Sequence, residues 1–289
     1  MAVKPIRLTE LFEQARAARA QDPPRKLAPD RHPVRDFFVA DITSWTPKDD
    51  RPSMEHPIFA LSKTPDRQIR HYEHNGATIT VTPSVLGRAT IWDKDVLIYA
   101  VSQLMEAANQ GRSISRTVRL KAYDLLVATN RHVGGKNYER LKECLKRLAG
   151  TRIETNIATN GKRISEGFGL IDNWKIERSR HSDTMTAVEV TLNEWLFNAV
   201  IAREVLTLRP EYFRLDGGLE RRLYEIARKH CGRQPDWNIG LELLRKKTGS
   251  TASIRKFRQL LKQTAHDNPL PEYTLKYDAD TDQVSFARR

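Results

Sequence analysis

Apolar and polar residues alternate with two different periods along this chain of 289 residues. Around residues 78–82, Thr78-Ile79-Thr80-Val81-Thr82 repeats every second position and predicts a strand that Pro83 stops. From Asp93 to Ala108 the period lengthens: Val96, Leu97, Ala100, Val101, Leu104 and Met105 fall on one helical stripe, and the acids ahead of it suit a helix N-terminus. After a polar, basic connection, Lys121 to Thr129 reads as a short apolar helix, broken at Asn130-Arg131-His132-Val133-Gly134-Gly135. Lys136 to Leu148 then places Tyr138, Leu141, Cys144, Leu145 and Leu148 on one face. Thr151 to Ala158 alternates, Asn160-Gly161 is a strong turn signal, and Lys162 to Ile176 returns with Ile164, Phe168, Leu170 and Ile171, which predicts a hairpin.

The same order recurs downstream. Leu219 to Cys231 is a predicted helix closed by Gly232, and a loop with Pro235 leads to a second helix, Ile239 to Lys247, ended by Thr248-Gly249. Ser253 to Ala265 is a third helix, and Glu272 to Tyr277 with Gln283 to Ala287 forms a hairpin across Asp278-Ala279-Asp280-Thr281-Asp282. The expected fold class is therefore α+β, with two tandem winged-helix domains at residues 56–206 and 207–289. Each has a helix-turn-helix that places its second helix in the major groove and a hairpin wing against backbone or minor groove. Residues 1–55, with Pro23, Pro24, Pro29, Pro33, Pro47 and Pro52 among scattered charges, cannot bury a core and read as a flexible N-terminal arm. Leu8 to Ala20 can form a short amphipathic helix there against a packing partner.

Charge narrows the function. With 49 Lys+Arg against 36 Asp+Glu the formal charge is +13, which makes nucleic acid the first candidate partner and anionic membrane the second. The arm carries 10 basic and 9 acidic residues (+1), whereas residues 56–206 carry 22 and 16 (+6) and residues 207–289 carry 17 and 11 (+6). The excess belongs to the two structured pieces. No run of 18 apolar residues exists to span a membrane, and the N-terminus lacks the apolar stretch of a secretory signal. Two cysteines, Cys144 and Cys231, supply neither a disulfide framework nor a zinc cluster, and the cytoplasm is the expected compartment.

Helix phasing separates the two modules. In the second, Ile254, Phe257, Leu260 and Leu261 form the expected core face, with Arg255, Gln259 and Lys262 opposite as candidate base readers. Lys246, Lys247, Lys256 and Arg258 are candidate backbone contacts beside them. In the first, the face opposite the core holds Glu139, Glu143 and Lys146, where two carboxylates would meet phosphate repulsion. Its flanking cations Lys136, Arg140 and Arg147, and the expected wing residues Arg152, Lys162 and Arg163, are candidates for gripping backbone. The C-terminal module is thus the expected main reader, and the first grips DNA or protein. Charged residues opposite an apolar stripe also make an ordinary solvated surface.

No catalytic set emerges. The G-x-x-x-x-G-K-[ST] loop of an ATPase is absent. His71 and His74 lack both a third ligand and the spacing that would aim them to one side of a strand. Asp278, Asp280 and Asp282 lack the glycine and terminal glutamate of a calcium loop and read as a polar hairpin tip. Gly167-Phe168-Gly169 is too short for a dinucleotide fingerprint, and both cysteines read as inert core thiols. No cofactor, metal or enzymatic activity is expected.

Three stretches carry a family resemblance. Thr80 to Ala107 (TVTPSVLGRATIWDKDVLIYAVSQLMEA), Leu208 to Gly232 (LRPEYFRLDGGLERRLYEIARKHCG) and His56 to Gly76 (HPIFALSKTPDRQIRHYEHNG) resemble blocks of the plasmid replication initiator protein A family, in the same order. The resemblance spans about residues 56–289 and leaves the arm uncovered. It implies a bacterial plasmid protein with tandem winged-helix domains that binds repeated origin sequences (iterons), opens the adjacent duplex and recruits a host helicase or host initiator. It further implies a C-terminal iteron reader, an N-terminal domain for dimerisation or secondary DNA contact, and repression of the protein's own gene. It brings no catalytic residues, so the contact residues rest on helix faces. The alternatives are a winged-helix transcriptional repressor and, more remotely, an origin-nicking enzyme.

Overall fold

The computed structural model describes residues 27–32, 40–42, 57–74, 77–156, 158–159, 162–163, 166–203, 205–231 and 234–289. The expected Leu8–Ala20 helix, the Asn160-Gly161 turn and the closing Gly232 lie outside them. In chain order the elements are β1 (Ala40–Ile42), β2 (Arg70–His74), β3 (Ala77–Thr82), α1 (Lys94–Asn109), β4 (Thr117–Lys121), α2 (Ala122–Ala128) and α3 (Gly135–Gly150). Then come β5 (Arg152–Thr155), β6 (Ala158–Thr159), β7 (Lys162–Arg163), β8 (Glu166–Gly169), β9 (Ile171–Arg178), β10 (Met185–Leu192), α4 (Glu194–Ile201) and β11 (Val205–Thr207). A 3-10 turn at Pro210–Arg214 leads to α5 (Gly218–His230), β12 (Asp236–Gly240), α6 (Leu241–Thr248), α7 (Ile254–Asp267), β13 (Tyr273–Asp278) and β14 (Gln283–Arg288).

One connectivity occurs twice. The first unit runs α1-β4-α2-α3-β9-β10 and the second α5-β12-α6-α7-β13-β14. Their antiparallel sheets are ordered β4-β10-β9 and β12-β14-β13, so in each the last strand sits between the other two. In each the first strand also runs straight into the second helix, at Lys121–Ala122 and at Gly240–Leu241.

The first unit departs from expectation in its hairpin. The run Lys162 to Ile176 is not one returning strand: β8 pairs with β5, whereas β9 pairs with β10 in a different sheet. Gly169 marks the break, because the chain folds back so tightly that a Cβ there would stand 2.8 Å from the Ile171 carbonyl oxygen. Segment β5–β8 is thus an insertion, which joins β2 and β3 in a four-stranded antiparallel sheet β2-β3-β5-β8, while β6 and β7 make a small ribbon. The hairpin equivalent to β13–β14 is β9–β10.

Two hydrophobic clusters fill the units. The α1 stripe, with Val96, Leu97, Ala100, Val101, Leu104 and Met105, packs on Leu141, Cys144, Leu145 and Leu148 of α3 and on Val188 and Val190 of β10. Tyr212, Tyr224, Phe257, Leu261, Tyr273 and Phe286 centre the second cluster, which also takes in Ile98 of α1. Helix α1 is therefore buried on two sides, one toward each unit. On α7 the core stripe is Phe257, Leu261 and Thr264; Leu260, expected in the core, is 38% exposed. The Thr264 hydroxyl satisfies itself by donating to the Leu260 carbonyl at 3.0 Å, so a polar residue closes the stripe.

The expected boundary at residue 206/207 falls inside β11, which pairs with β1. Across the seam between the units, Asp95 accepts a bond from Arg221 at 2.7 Å, with both side chains almost fully buried, and pairs with Arg131 at 3.1 Å. Beside them Lys94 meets Glu225 at 3.0 Å, and the Tyr212 hydroxyl donates to Glu225 at 2.8 Å. Burial alone would raise the Glu225 carboxyl, but Lys94 and Arg222 hold it below its ordinary value. At Gly218 a Cβ would overlap the Leu61 carbonyl, so the seam requires glycine there.

Candidate nucleic-acid interface

The approach to α7 is built by its neighbours. Gly249 ends α6 in the left-handed region (φ 71°) and lies so close to Pro57 that a side chain would overlap it. Ser253 caps α7 by accepting the Lys256 amide at 3.3 Å. With Phe257, Leu261 and Thr264 turned inward, Arg255, Lys256, Gln259 and Lys262 all stand exposed on the opposite side. Lys256 Nζ donates to Gln259 Oε1 at 3.1 Å, and Lys262 Nζ lies 5.7 Å from the centre of the Tyr277 ring on β13. Lys246, in the last turn of α6, is also exposed.

Two other backbone candidates of this unit are placed differently. Arg258 forks onto Asp282 of the hairpin, Nη2 to Oδ2 at 2.7 Å and Nε to Oδ1 at 3.1 Å, and Tyr277 joins the group. Donating to Asp282 raises the pKa of the Arg258 guanidinium further, and Arg258 in turn holds the Asp282 carboxyl below its ordinary value. Lys247 is buried, and its carbonyl oxygen accepts from Arg222 at 3.0 Å.

In the first unit the flanks of α3 divide. Lys136 and Arg140 are exposed, and Arg140 Nη1 donates to Asn137 Oδ1 at 3.4 Å. Arg147 instead forks onto Asp93 at the head of α1, with bonds of 2.8 and 2.7 Å. That pairing raises its guanidinium, and burial beside Asp93 pushes the Cys144 thiol well above its ordinary value. Among the acids of this helix, Glu143 pairs with Lys146 at 2.8 Å and Glu139 with Arg178 at 3.6 Å.

The expected wing cations do not sit on the β9–β10 hairpin. Arg152 is exposed on β5 in the inserted sheet, reaching the Gly167 carbonyl at 3.4 Å; Lys162 and Arg163 form β7, paired with Thr159 and Ala158. The β9–β10 tip instead offers Arg178, Arg180 and His181, of which Arg178 donates to the Asp183 carbonyl at 2.8 Å. The alternation in Met185 to Leu192 was the signal for this hairpin. The two tips have opposite character: basic on β9–β10, acidic at Asp278, Asp280 and Asp282 on β13–β14.

The residues weighed for metal chemistry are dispersed. His71 lies on β2 with Nδ1 3.0 Å from Thr80 Oγ1, and position 74, three residues on, belongs to the other face of that strand. Asp278 accepts from the Asp280 amide and the Thr281 hydroxyl within its own turn. Among the described residues no group of three His, Cys, Asp or Glu could hold a metal ion, and no helix is long and apolar enough to cross a membrane.

Comparison with known proteins gives matches of three kinds. A family model described as Replication initiator protein A matches residues 48–275. A protein of Wigglesworthia glossinidia brevipalpis, provisionally named a replication protein, is 40% identical over 262 residues, covering 89% of this chain and 94% of the relative. Among solved structures, domains 2 and 3 of RctB superpose with a TM-score of 0.60 at 14% identity, covering 82% of this chain and 96% of that one; a second RctB structure of the same domains gives 0.57. At that identity the likeness speaks for the fold.

Proposed function

Because the chain belongs to the replication initiator protein A family, we propose that it starts replication of a bacterial plasmid by binding repeated origin sequences through two winged-helix units. The observation that carries this reading is α7, a capped helix whose open face holds Arg255, Lys256, Gln259 and Lys262 and no acid. Arg255 and Gln259 are suited to base edges, and Lys246, Lys256 and Lys262 add donors for bases or phosphates. The first unit adds backbone grip through Lys136 and Arg140 and through the β9–β10 tip at Arg180 and His181, with Arg152 of β5 and Lys162 and Arg163 of the β6–β7 ribbon as further candidates.

Several bound copies would bend or strain an A·T-rich neighbour, a route to melting that needs no ATP and no catalytic group. Self-association, a host helicase or host initiator as partner, and repression of the protein's own gene follow from the same reading, with work done in the cytoplasm. Footprinting the protein on the DNA flanking its gene tests it. Protection of regularly spaced repeats, competed poorly by unrelated DNA, is the expected result; equal binding to unrelated DNA overturns it. Replication of a minimal plasmid carrying only the gene and those repeats separates an initiator from a repressor.

A further inference from the structure

A short segment from the N-terminal arm crosses both units. On one side Ala28 and Arg214 bond twice: the Ala28 amide donates to the Arg214 carbonyl and Arg214 Nε donates to the Ala28 carbonyl, each at 2.8 Å. Ala28 is buried and Leu27 packs on the second hydrophobic cluster. Arg214 closes the 3-10 turn that leads into α5, so this anchor belongs to the second unit.

Only two residues on, the segment grips the first unit. The Asn130 side chain brackets it, donating to the Pro29 carbonyl at 3.1 Å and accepting the Arg31 amide at 2.8 Å. Arg31 donates to the Asn130 carbonyl and to His132 Nε2, both at 3.0 Å, and His32 Nε2 lies 3.0 Å from the Arg131 carbonyl. Asn130 to His132 is the start of the turn between α2 and α3, and Asn130 is left-handed (φ 55°), a conformation that asparagine tolerates. Six residues thus bind the turn that aims α3 to the entrance of the unit that carries α7. Below them Arg131 and Arg221 converge on Asp95.

We propose that Leu27–His32 is a strap that fixes the register between the two units, and with it the spacing between DNA subsites that the protein accepts. This rests on the reading that both units touch DNA. The seam already holds the units together at Asp95, at Gly218 against Leu61 and at Gly249 against Pro57, and the strap lies over its Arg131 side and ties the turn before α3 to the turn before α5, which opposes sliding of one unit against the other. Spacing matters because each base pair rotates the next subsite by roughly 35° and advances it by about 3.4 Å. A strapped pair of helices meets a misplaced subsite with the wrong face, whereas an unstrapped pair can follow it.

The test is the full chain with Asn130→Gly and Arg31→Ala together. Glycine accepts the left-handed backbone, so the turn conformation stays while the bonds of the Asn130 and Arg31 side chains go, leaving His32 on the Arg131 carbonyl as the described hydrogen bond from the strap to the first unit. Binding is measured on the footprinted site and on versions with one base pair added or removed between the subsites of the two units. Wild type is expected to lose at least about tenfold on the altered sites, and the double variant less than about threefold. The strap is overturned if the variant keeps the wild-type penalty, or if wild type has none. Failure of wild type to prefer its own site at all would instead overturn the proposed function. Should the double variant melt early, Asn130→Gly and Arg31→Ala singly give the same comparison, and an undiminished spacing penalty in both counts against the strap.

Discussion

Helices α3 and α7 occupy the same position in two units of one topology, yet their cations have different partners. On α3, Arg147 faces inward to Asp93 and Lys146 is matched by Glu143 on its own helix. On α7, Arg255, Lys256 and Lys262 face solvent with no acid of the helix among them, although Arg258 closes on Asp282 of the hairpin, which also attracts Lys262. Their hairpins reverse the pattern, a basic tip beside the mixed helix and an acidic tip beside the basic one. Net charge does not distinguish the two units; what distinguishes them is whether a cation's partner is already present in the fold. A fork closed on a buried carboxylate holds structure, and an exposed, unopposed donor remains available to a polyanion.

Removing Arg147 should give the largest effect. Arg147→Ala leaves the buried Asp93 carboxylate with the Thr90 amide but without its cation, and should lower unfolding free energy by about 3 kcal/mol in urea denaturation. Its DNA salt slope should stay as in wild type. A loss under about 1 kcal/mol with a shallower slope would place Arg147 on DNA and erase the contrast between the helices. Arg255→Ala should do the reverse: an unchanged melting temperature, with about 1–3 kcal/mol of binding lost at particular base positions. An equal loss on every sequence would reassign Arg255 to phosphate.

How far this contrast can be read from sequence follows from how local each element is. The α7 stripe and the β13–β14 hairpin lie close together in the chain, and periodicity places both nearly to the residue. Helix α3 was equally visible, but the partner of Arg147 lies 54 residues away and that of Arg221 lies 126 away. Asp93 and Asp95 read as acids at a helix start, which their position also permits, and nothing local shows that they anchor α3 and the second unit. The hairpin of the first unit was misplaced for the same reason. Asn160-Gly161 is a strong turn signal, and it diverts attention from β9, whose burial pattern is irregular. Leu260 and Thr264 show a smaller limit: hydropathy favours the leucine for the core, and helix phase favours the threonine.

Lys256→Ala comes next in size. Loss of one phosphate contact should make the slope of log affinity against log salt shallower by about one, nearly equally on all sequences. The lysine also bonds Gln259, so a change confined to one base position would show that it acts by orienting that side chain instead.

The smallest expected effect probes the acidic tip. Asp282→Asn removes the carboxylate that Arg258 forks onto while keeping the side chain's shape. The guanidinium becomes available and the tip repels phosphate less, so affinity at low salt should rise by about two- to threefold and the slope steepen by up to about one. Both changes should fade at high salt, since the pair is exposed and screened. Acid should not mimic the substitution at pH 5. Arg258 holds the folded-state pKa of Asp282 below the ordinary value, so the fork's contribution is present above that ordinary value, near 3.9, and is lost only as pH falls through the lower one. If Asp282→Asn weakens binding, the Arg258 fork serves to set the hairpin against α7, and the two helices would then be alike in using one arginine to hold the fold.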